Sequence, residues 1–176
     1  MKATRKPWLM LGACVVMGLI MAACSTASPA EQALDVAKAA SDKYHDVNVA
    51  MADGYVSAEE CVASPAGAMG IHYLNIDLIL DPKVDPERPE VLLYFPTDDG
   101  LILGGIEYLV AIGPPGSPVP DSPPAAPVLF DQTFDGPMEG HGPDAPPHFD
   151  LHVWVWEENP QGMFGGFNSA LSCPES

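Results

Sequence analysis

The chain of 176 residues carries 24 acidic side chains against 7 basic ones, which gives a formal net charge of −17 at neutral pH. A field of this sign repels phosphate backbones and anionic lipid headgroups, so the composition excludes nucleic-acid binding. The same field attracts cations, but it also serves solubility, and acidity alone therefore assigns no ligand.

The first 23 residues have the organisation of a bacterial export signal. Three basic residues within the first six precede an uncharged apolar run at 8–23. A run of roughly 16 residues is shorter than the ~20 that span a bilayer, which favours a cleaved signal over a retained membrane helix. An ordinary secretory signal cleaved after Ala23 without lipidation is the alternative to the lipid attachment described next.

The signal ends in Met21-Ala22-Ala23-Cys24, which resembles a bacterial lipobox. The resemblance implies a signal peptide at residues 1–23 and a fatty acid such as palmitate on Cys24. It also implies an exported protein anchored by this lipid to the cell membrane or the outer membrane, facing the periplasm or the exterior. Residues 24–30 are small and polar and predict a flexible tether, and residues 31–176 are predicted to form a single acidic α+β domain.

Two cysteines remain once Cys14 has left with the signal and Cys24 carries lipid. An oxidising compartment favours a disulfide between them, Cys61–Cys173. Such a bridge closes a loop of more than about 100 residues and is expected to stabilise the fold by ~4–5 kcal/mol. Two free thiols that bind a soft metal are the alternative.

The N-terminal part of the domain predicts a helix, and the middle predicts a sheet. Apolar residues recur at helical spacing over residues 30–52, and Asp53-Gly54 is a typical helix end. After a glycine-rich turn at 67–70, residues 71–80 are predicted to be extended. Residues 91–95 and 101–112 predict a hairpin around a tight turn, with a β-bulge at Gly104-Gly105.

The C-terminal part predicts loops around one more strand. The proline-rich segment 113–127 is expected to be an exposed connector, because proline interrupts both helices and central strands. A loop at 131–147, a strand at 148–156 and a glycine-rich coil follow. The fold class predicted is α+β, with one N-terminal helix packed on a small, mostly antiparallel sheet and with long loops rich in proline and glycine.

The strand predicted at 148–156 separates into two faces, because alternate side chains of a strand point to opposite sides. One face is apolar and is predicted to be core. The other face is polar and aromatic: His148, Asp150, His152, Trp154 and Trp156. Imidazole and carboxylate ligands suit zinc, copper, iron or nickel, and thioethers from Met69 or Met138 would favour copper(I).

The residues predicted to bind a metal, with zinc or copper as the candidate ions, are His72, Glu139, His141, His148 and His152. Asp150 is predicted to orient one of these imidazoles without itself binding the ion. The sequence contains none of the compact metal motifs, such as HExxH or paired CxxC, so the pattern leaves other interpretations open.

Three alternatives to a metal site remain at this point. The first is that His148, Asp150 and His152 form an outward polar face, hydrogen-bonded among themselves or to Glu139. A small-ligand or partner site without a metal is the second alternative, with Tyr73, Trp154 and Trp156 as an aromatic wall. A histidine-dependent enzyme of the cell envelope is the third, with Asp150 orienting a histidine base, but no serine lies in a G-x-S-x-G context. We therefore expect non-catalytic binding.

A family resemblance extends over most of the chain after residue 43. It is carried by Tyr44-His45-Asp46-Val47, Asp53-Gly54-Tyr55, Gly70-Ile71-His72-Tyr73, Glu90-Val91-Leu92-Leu93-Tyr94, Pro137-Met138-Glu139-Gly140-His141 and His148-Phe149-Asp150-Leu151-His152-Val153-Trp154. These stretches are similar to a family of uncharacterised exported bacterial proteins. The resemblance implies a domain identity and leaves the function open.

Overall fold

A computed structural model describes residues 27–58 and 60–174 of the chain. The predicted signal peptide, Cys24 and the first residues of the predicted tether lie outside the described residues. Within the described part of the chain, no helix has the length and apolar character needed to cross a membrane.

The N-terminal helical region consists of α1 (Pro29–Ser41), one turn of 3-10 helix (Asp42–His45) and α2 (Val47–Ala52). A reciprocal capping box starts α1: the Ser28 hydroxyl accepts a hydrogen bond from the Glu31 amide, and the Glu31 carboxylate accepts one from the Ser28 amide. Helix α1 therefore begins two residues before the predicted domain boundary at 31.

The prediction of one continuous helix over residues 30–52 is wrong at Asp46. This residue is extended, and its side chain accepts a hydrogen bond from the Asn48 amide, which caps a new helix. Aspartate side chains compete in this way with helix continuation, and apolar spacing alone does not register the competition.

The sheet is built from short and long antiparallel strands. In chain order they are β1 (Val56–Ser57), β2 (Val62–Ser64), β3 (Gly67–Leu74), β4 (Val91–Thr97), β5 (Gly100–Ala111), β6 (Val128–Leu129), β7 (Gln132–Thr133), β8 (Asp135–Met138) and β9 (His148–Val153). The main sheet has the order β1-β3-β4-β5-β9-β8, with β2 also paired to β3, while β6 and β7 form a separate pair. The predicted α+β class, with helix on a mostly antiparallel sheet, is confirmed.

The predicted hairpin and its bulge are also confirmed. Leu93 pairs with Gly105 and Tyr94 pairs with Leu103, so Gly104 is the extra residue of β5. A side chain at Gly104 would place its Cβ 2.9 Å from the Phe95 ring, which explains why glycine occupies this position.

Both faces of the central strands are buried. The helix face, covered by α1 and α2, contains Leu92, Tyr94, Ile106, Tyr108 and Phe149 together with Ala37, Tyr44 and Ala50. The opposite face, which we call the loop face, contains Val91, Leu93, Phe95, Leu109 and Trp154 and packs against Ile79, Leu171 and Cys173. The sheet is therefore the middle layer of the domain.

Three predicted segments differ from the structure. Residues 71–80 were expected to be extended, but β3 ends at Leu74 and the side chain of Asn75 caps a short helix, α3 (Ile76–Ile79). The turn predicted at 67–70 lies inside β3, where Gly70 has a φ of 90° and approaches the Tyr94 carbonyl too closely for a side chain. The loop predicted at 131–147 contains β7 and β8.

The strand predicted at 148–156 ends at Val153, because the backbone amide of Trp154 donates to the carbonyl of Met163 and leaves the sheet. The Trp154 ring lies 6.0 Å from that of Phe95 on the loop face, whereas Trp156 packs 4.4 Å from the His45 ring on the helix side. The expectation that both tryptophans share a face is therefore wrong.

The predicted disulfide Cys61–Cys173 is present and joins the start of β2 to the C-terminal coil across 112 residues of sequence. Loop closure on this scale restricts the unfolded chain and contributes ~4–5 kcal/mol in the chain-entropy model. The bridge holds the C-terminal coil over the loop face.

Candidate metal centre

Three side chains from three strands converge on the loop face of the sheet. Glu107 lies in the middle of β5, His152 is its cross-strand partner on β9, and His72 lies on β3. One ligand atom from each residue lies within 4.8 Å of the other two.

The distances match those around a small metal ion. The Glu107 Oε2 atom lies 3.5 Å from His72 Nε2 and 3.7 Å from His152 Nε2. A tetrahedral ion with bonds of ~2.0–2.1 Å separates its ligand atoms by about 3.4 Å. The two measured pairs are near that separation, and all three ligand atoms lie within 4.8 Å of one another.

The cluster is buried and poorly satisfied by hydrogen bonds. Glu107 and His152 are each 3% exposed, and within the described part of the chain neither Glu107 Oε2 nor His152 Nε2 has a hydrogen-bond partner. A buried polar atom left without a partner costs about 1–3 kcal/mol. An ion that accepts these lone pairs removes that cost.

Burial also sets the protonation of the three groups. It lowers the pKa of His152 to about 3 and that of His72 to about 4, with neighbouring imidazoles adding to the effect. It raises the pKa of Glu107 well above the usual range, and the nearby Asp150 raises it further. These shifts favour neutral imidazoles, which keep the lone pairs that a metal requires, and they favour the protonated form of Glu107, whose proton a cation would displace.

Asp150 stands behind His152 on the same face of β9. Its Oδ2 atom lies 3.9 Å from His152 Nδ1, the ring nitrogen that faces away from Glu107. Burial raises the pKa of Asp150 to about 7, and Asp135 contributes to the rise. The 3.9 Å separation is longer than a hydrogen bond, so the orienting role predicted for Asp150 from the sequence stays a prediction.

The five residues predicted as ligands do not all meet. His72 and His152 lie in the cluster. His148 lies four residues from His152 on β9, about 13 Å along a strand, which is too far to share one ion. The His141 ring packs 5.1 Å from that of His148, and the carboxylate of Glu139 accepts a hydrogen bond from the Val119 amide in the proline-rich connector.

Sequence reasoning missed Glu107, although the sequence contains a signal for it. Glu107 is the single charged residue in the run 100–112, which is otherwise apolar or glycine. A buried carboxylate in a central strand needs a partner, because an unpaired charge in a protein interior is costly. This argument singles out Glu107 as a candidate ligand, but it does not name the two histidines that face it.

A cavity of about 780 Å³ opens above the cluster. Glu107, His72 and His152 form part of its wall. The wall also includes His141, His148, Asp150 and apolar side chains of α3, β3, β5 and the C-terminal coil: Met69, Leu74, Ile76, Ile79, Leu109 and Phe167. The cluster of His72, Glu107 and His152 therefore forms one polar part of a largely apolar chamber.

Two of the alternatives can be compared with this geometry. His148, Asp150 and His152 are each 3% exposed, so the interpretation of their face as a solvated surface is wrong. The predicted aromatic wall does not form either. Tyr73 and Trp156 belong to the packing of the helix face, and Trp154 packs beside Phe95 away from the cavity lining.

Comparisons of the chain with protein-family models, with curated proteins and with solved structures found no match. The lipobox and the resemblance to exported bacterial proteins stay predictions.

Proposed function

We propose that this protein is an exported, lipid-anchored bacterial protein that binds a divalent transition metal, with zinc as the first candidate, through His72, Glu107 and His152. The observation that carries the proposal is the convergence of three lone-pair donors, two of which are buried and find no hydrogen-bond partner among residues 27–58 and 60–174. Its role is binding at the cell envelope, and no catalytic step is part of it.

The ligand set supports zinc more strongly than copper(I). Two imidazoles and one carboxylate leave one position of a tetrahedral zinc ion free, and this position would face the cavity. Copper(I) prefers soft thioether ligands, and Met69 and Met138 do line the cavity, but the carboxylate of Glu107 at the centre of the cluster is a hard ligand. The same two-histidine, one-carboxylate set also accommodates iron(II), so iron belongs in the titration.

Charge balance supports a divalent ion. A dication beside an ionised Glu107 leaves one positive charge, and Asp150, 3.9 Å from His152, supplies the carboxylate that balances it. The acidic chain, with a net charge of −17, raises the local concentration of cations around the cavity mouth. The divalent ion, the Glu107 carboxylate and the Asp150 carboxylate together then carry no net charge.

The test is a metal titration of the purified, chelator-treated protein. We expect zinc to bind with a stoichiometry near one in isothermal titration calorimetry. Glu107→Gln keeps the size of the side chain but removes the charge. We expect this variant and His152→Ala each to lower the affinity for zinc by about 100-fold or more.

The matched control is His45→Ala. This histidine is exposed and packs on Trp156 on the helix side of the sheet, so its loss should leave zinc affinity unchanged. Absence of stoichiometric binding of zinc, copper and iron(II) by the wild-type protein would contradict the proposal. Equal affinities of the wild type and the folded Glu107→Gln variant would contradict the assignment of the site.

A further inference from the structure

The cavity is much larger than a metal ion requires. Cavities of ~300–1,000 Å³ with apolar walls and a few polar groups are typical of small-molecule sites. The volume of about 780 Å³ falls within this range. The exposed loop residues His141, Gly142, Pro143 and Asp144 line the cavity as well, so the chamber meets solvent at this loop.

A second polar side chain, His148, forms part of the wall of this chamber outside the three-residue cluster. His148 is 3% exposed, and its Nδ1 atom lies 2.9 Å from the carbonyl oxygen of Pro146. A carbonyl only accepts hydrogen bonds, so Nδ1 carries the proton and Nε2 carries a lone pair in the neutral ring. Burial lowers the pKa of His148, which favours this neutral form.

The Nε2 atom of His148 is buried, and its lone pair has no hydrogen-bond partner within the described residues. Its position about 13 Å along β9 from His152 separates it from the metal cluster. An acceptor held in one tautomer at the wall of a largely apolar chamber is complementary to a hydrogen-bond donor on an apolar molecule.

We infer that the cavity binds a neutral, largely apolar organic molecule whose hydroxyl or N–H group donates a hydrogen bond to His148 Nε2. The apolar body would lie against Met69, Ile79 and Leu109, among others of the same wall. Lysine and arginine are missing from the cavity lining of the described chain, so a buried anion would find no cation there. This inference is independent of metal occupancy.

The test uses four probes that share a 4-butylphenyl group: 4-butylphenol, its methyl ether 4-butylanisole, 4-butylbenzylamine and 4-butylbenzoate. Each is titrated into metal-free protein in the presence of a chelator, and binding is followed by chemical-shift changes of the backbone amides lining the cavity. We expect 4-butylphenol to bind most tightly and about tenfold more tightly than the ether, which lacks the donor. We expect no binding of the benzoate.

His148→Leu should abolish the preference for phenol over ether while the ether still binds. Met69→Trp partly fills the chamber and should weaken both neutral probes. The amide spectrum of each variant establishes that it remains folded.

The proposal is overturned if wild-type protein binds the ether as tightly as the phenol, or if it binds none of the probes. Tighter binding of the benzylammonium ion would overturn the neutral class and make the chamber a cation site. Because zinc is absent throughout, failure of this experiment leaves the metal proposal standing, and failure of the zinc titration leaves this one standing.

Discussion

Two glutamate side chains, Glu90 and Glu107, are buried in the interior of the domain. Glu107 belongs to the proposed metal site, whereas Glu90 lies outside it. Glu90 is 2% exposed and directly precedes β4. Its Oε2 atom accepts a hydrogen bond from the amide of Leu109 in β5. Glu90 thus supplies the acceptor that a strand backbone would otherwise provide to β5.

Glu90 makes the stability of the fold dependent on pH. Burial raises its pKa from 4.5 to about 8, against the opposing effect of the Leu109 hydrogen bond. The folded state therefore holds a proton that the unfolded state releases, so the stabilising contribution is complete below about pH 4.5 and is lost as the pH rises to about 8. The maximum slope is about 1.4 kcal/mol per pH unit.

We expect Glu90→Gln to remove this contribution to the pH dependence, because glutamine keeps the acceptor oxygen and cannot ionise. Relative to wild type, the variant should gain stability as the pH is raised from 5 to 8. Urea unfolding of metal-free protein at several pH values measures the difference, and Glu87→Gln, at an exposed neighbour, is the control. A constant difference between wild type and Glu90→Gln across this range would refute the assignment.

At the scale of secondary structure, the bulge at Gly104 decides which side chains reach the site. Before the bulge, Leu101 and Leu103 pack on the helix face, whereas after it Ile106 and Tyr108 do so. The extra residue changes the alternation by one position, since side chains of a regular strand alternate strictly. Without the bulge, Glu107 would point to the helix face, away from His72 and His152.

Gly104→Ala tests the packing at this bulge. The new Cβ would lie 2.9 Å from the Phe95 ring in the buried core, so we expect the free energy of unfolding to fall by about 1–3 kcal/mol. Gly142→Ala is the matched control, because a Cβ there meets nothing within 4 Å. Chemical denaturation measures both variants, and equal stabilities would show that the bulge tolerates a side chain.

Sequence reasoning recovered most elements that depend on local pattern and missed those that depend on a capping side chain or a partner strand. The hairpin, the bulge and the disulfide follow from turn residues, glycines and cysteine count. The break at Asp46, helix α3 after Asn75 and the end of β9 at Val153 depend on single hydrogen bonds that periodicity does not encode.

The candidate site was only partly predictable for a related reason. Histidine is an uncommon residue and a frequent metal ligand, so the sequence predicts His72 and His152 as ligands. Their common partner Glu107 lies on a third strand. The bulge at Gly104 determines which face of the sheet its side chain occupies. His148 was also named, but its distance from His152 is set by the strand rise, which separates it from the cluster.

At the scale of the whole molecule, the predicted lipid anchor and the disulfide divide the cysteines between them. Cys61 and Cys173 are bonded to each other, so Cys24 is the cysteine left for the predicted fatty acid once the predicted signal has been removed. A disulfide is favoured in an exported compartment, which agrees with the proposed destination.

We expect labelled palmitate to be incorporated into the wild-type protein in a bacterial host and to be lost in Cys24→Ala. The Cys61–Cys173 bridge should survive in that variant, because it does not involve residue 24. Mass spectrometry of non-reduced peptides supplies the second measurement. Label retained by Cys24→Ala, or Cys24 found bonded to Cys61 or Cys173, would rule out the anchor.

The separation of the two C-terminal tryptophans has a practical consequence for optical work. Once the predicted signal and its Trp8 are removed, Trp154 and Trp156 are the only indoles in the chain. Trp154 lies two residues from His152 in the loop-face core, and Trp156 lies beneath Lys38 and beside His45 on the helix side. Each side of the sheet thus carries its own intrinsic fluorophore. Replacing one indole by phenylalanine would leave a spectroscopic reporter for the other half of the domain, without any attached dye.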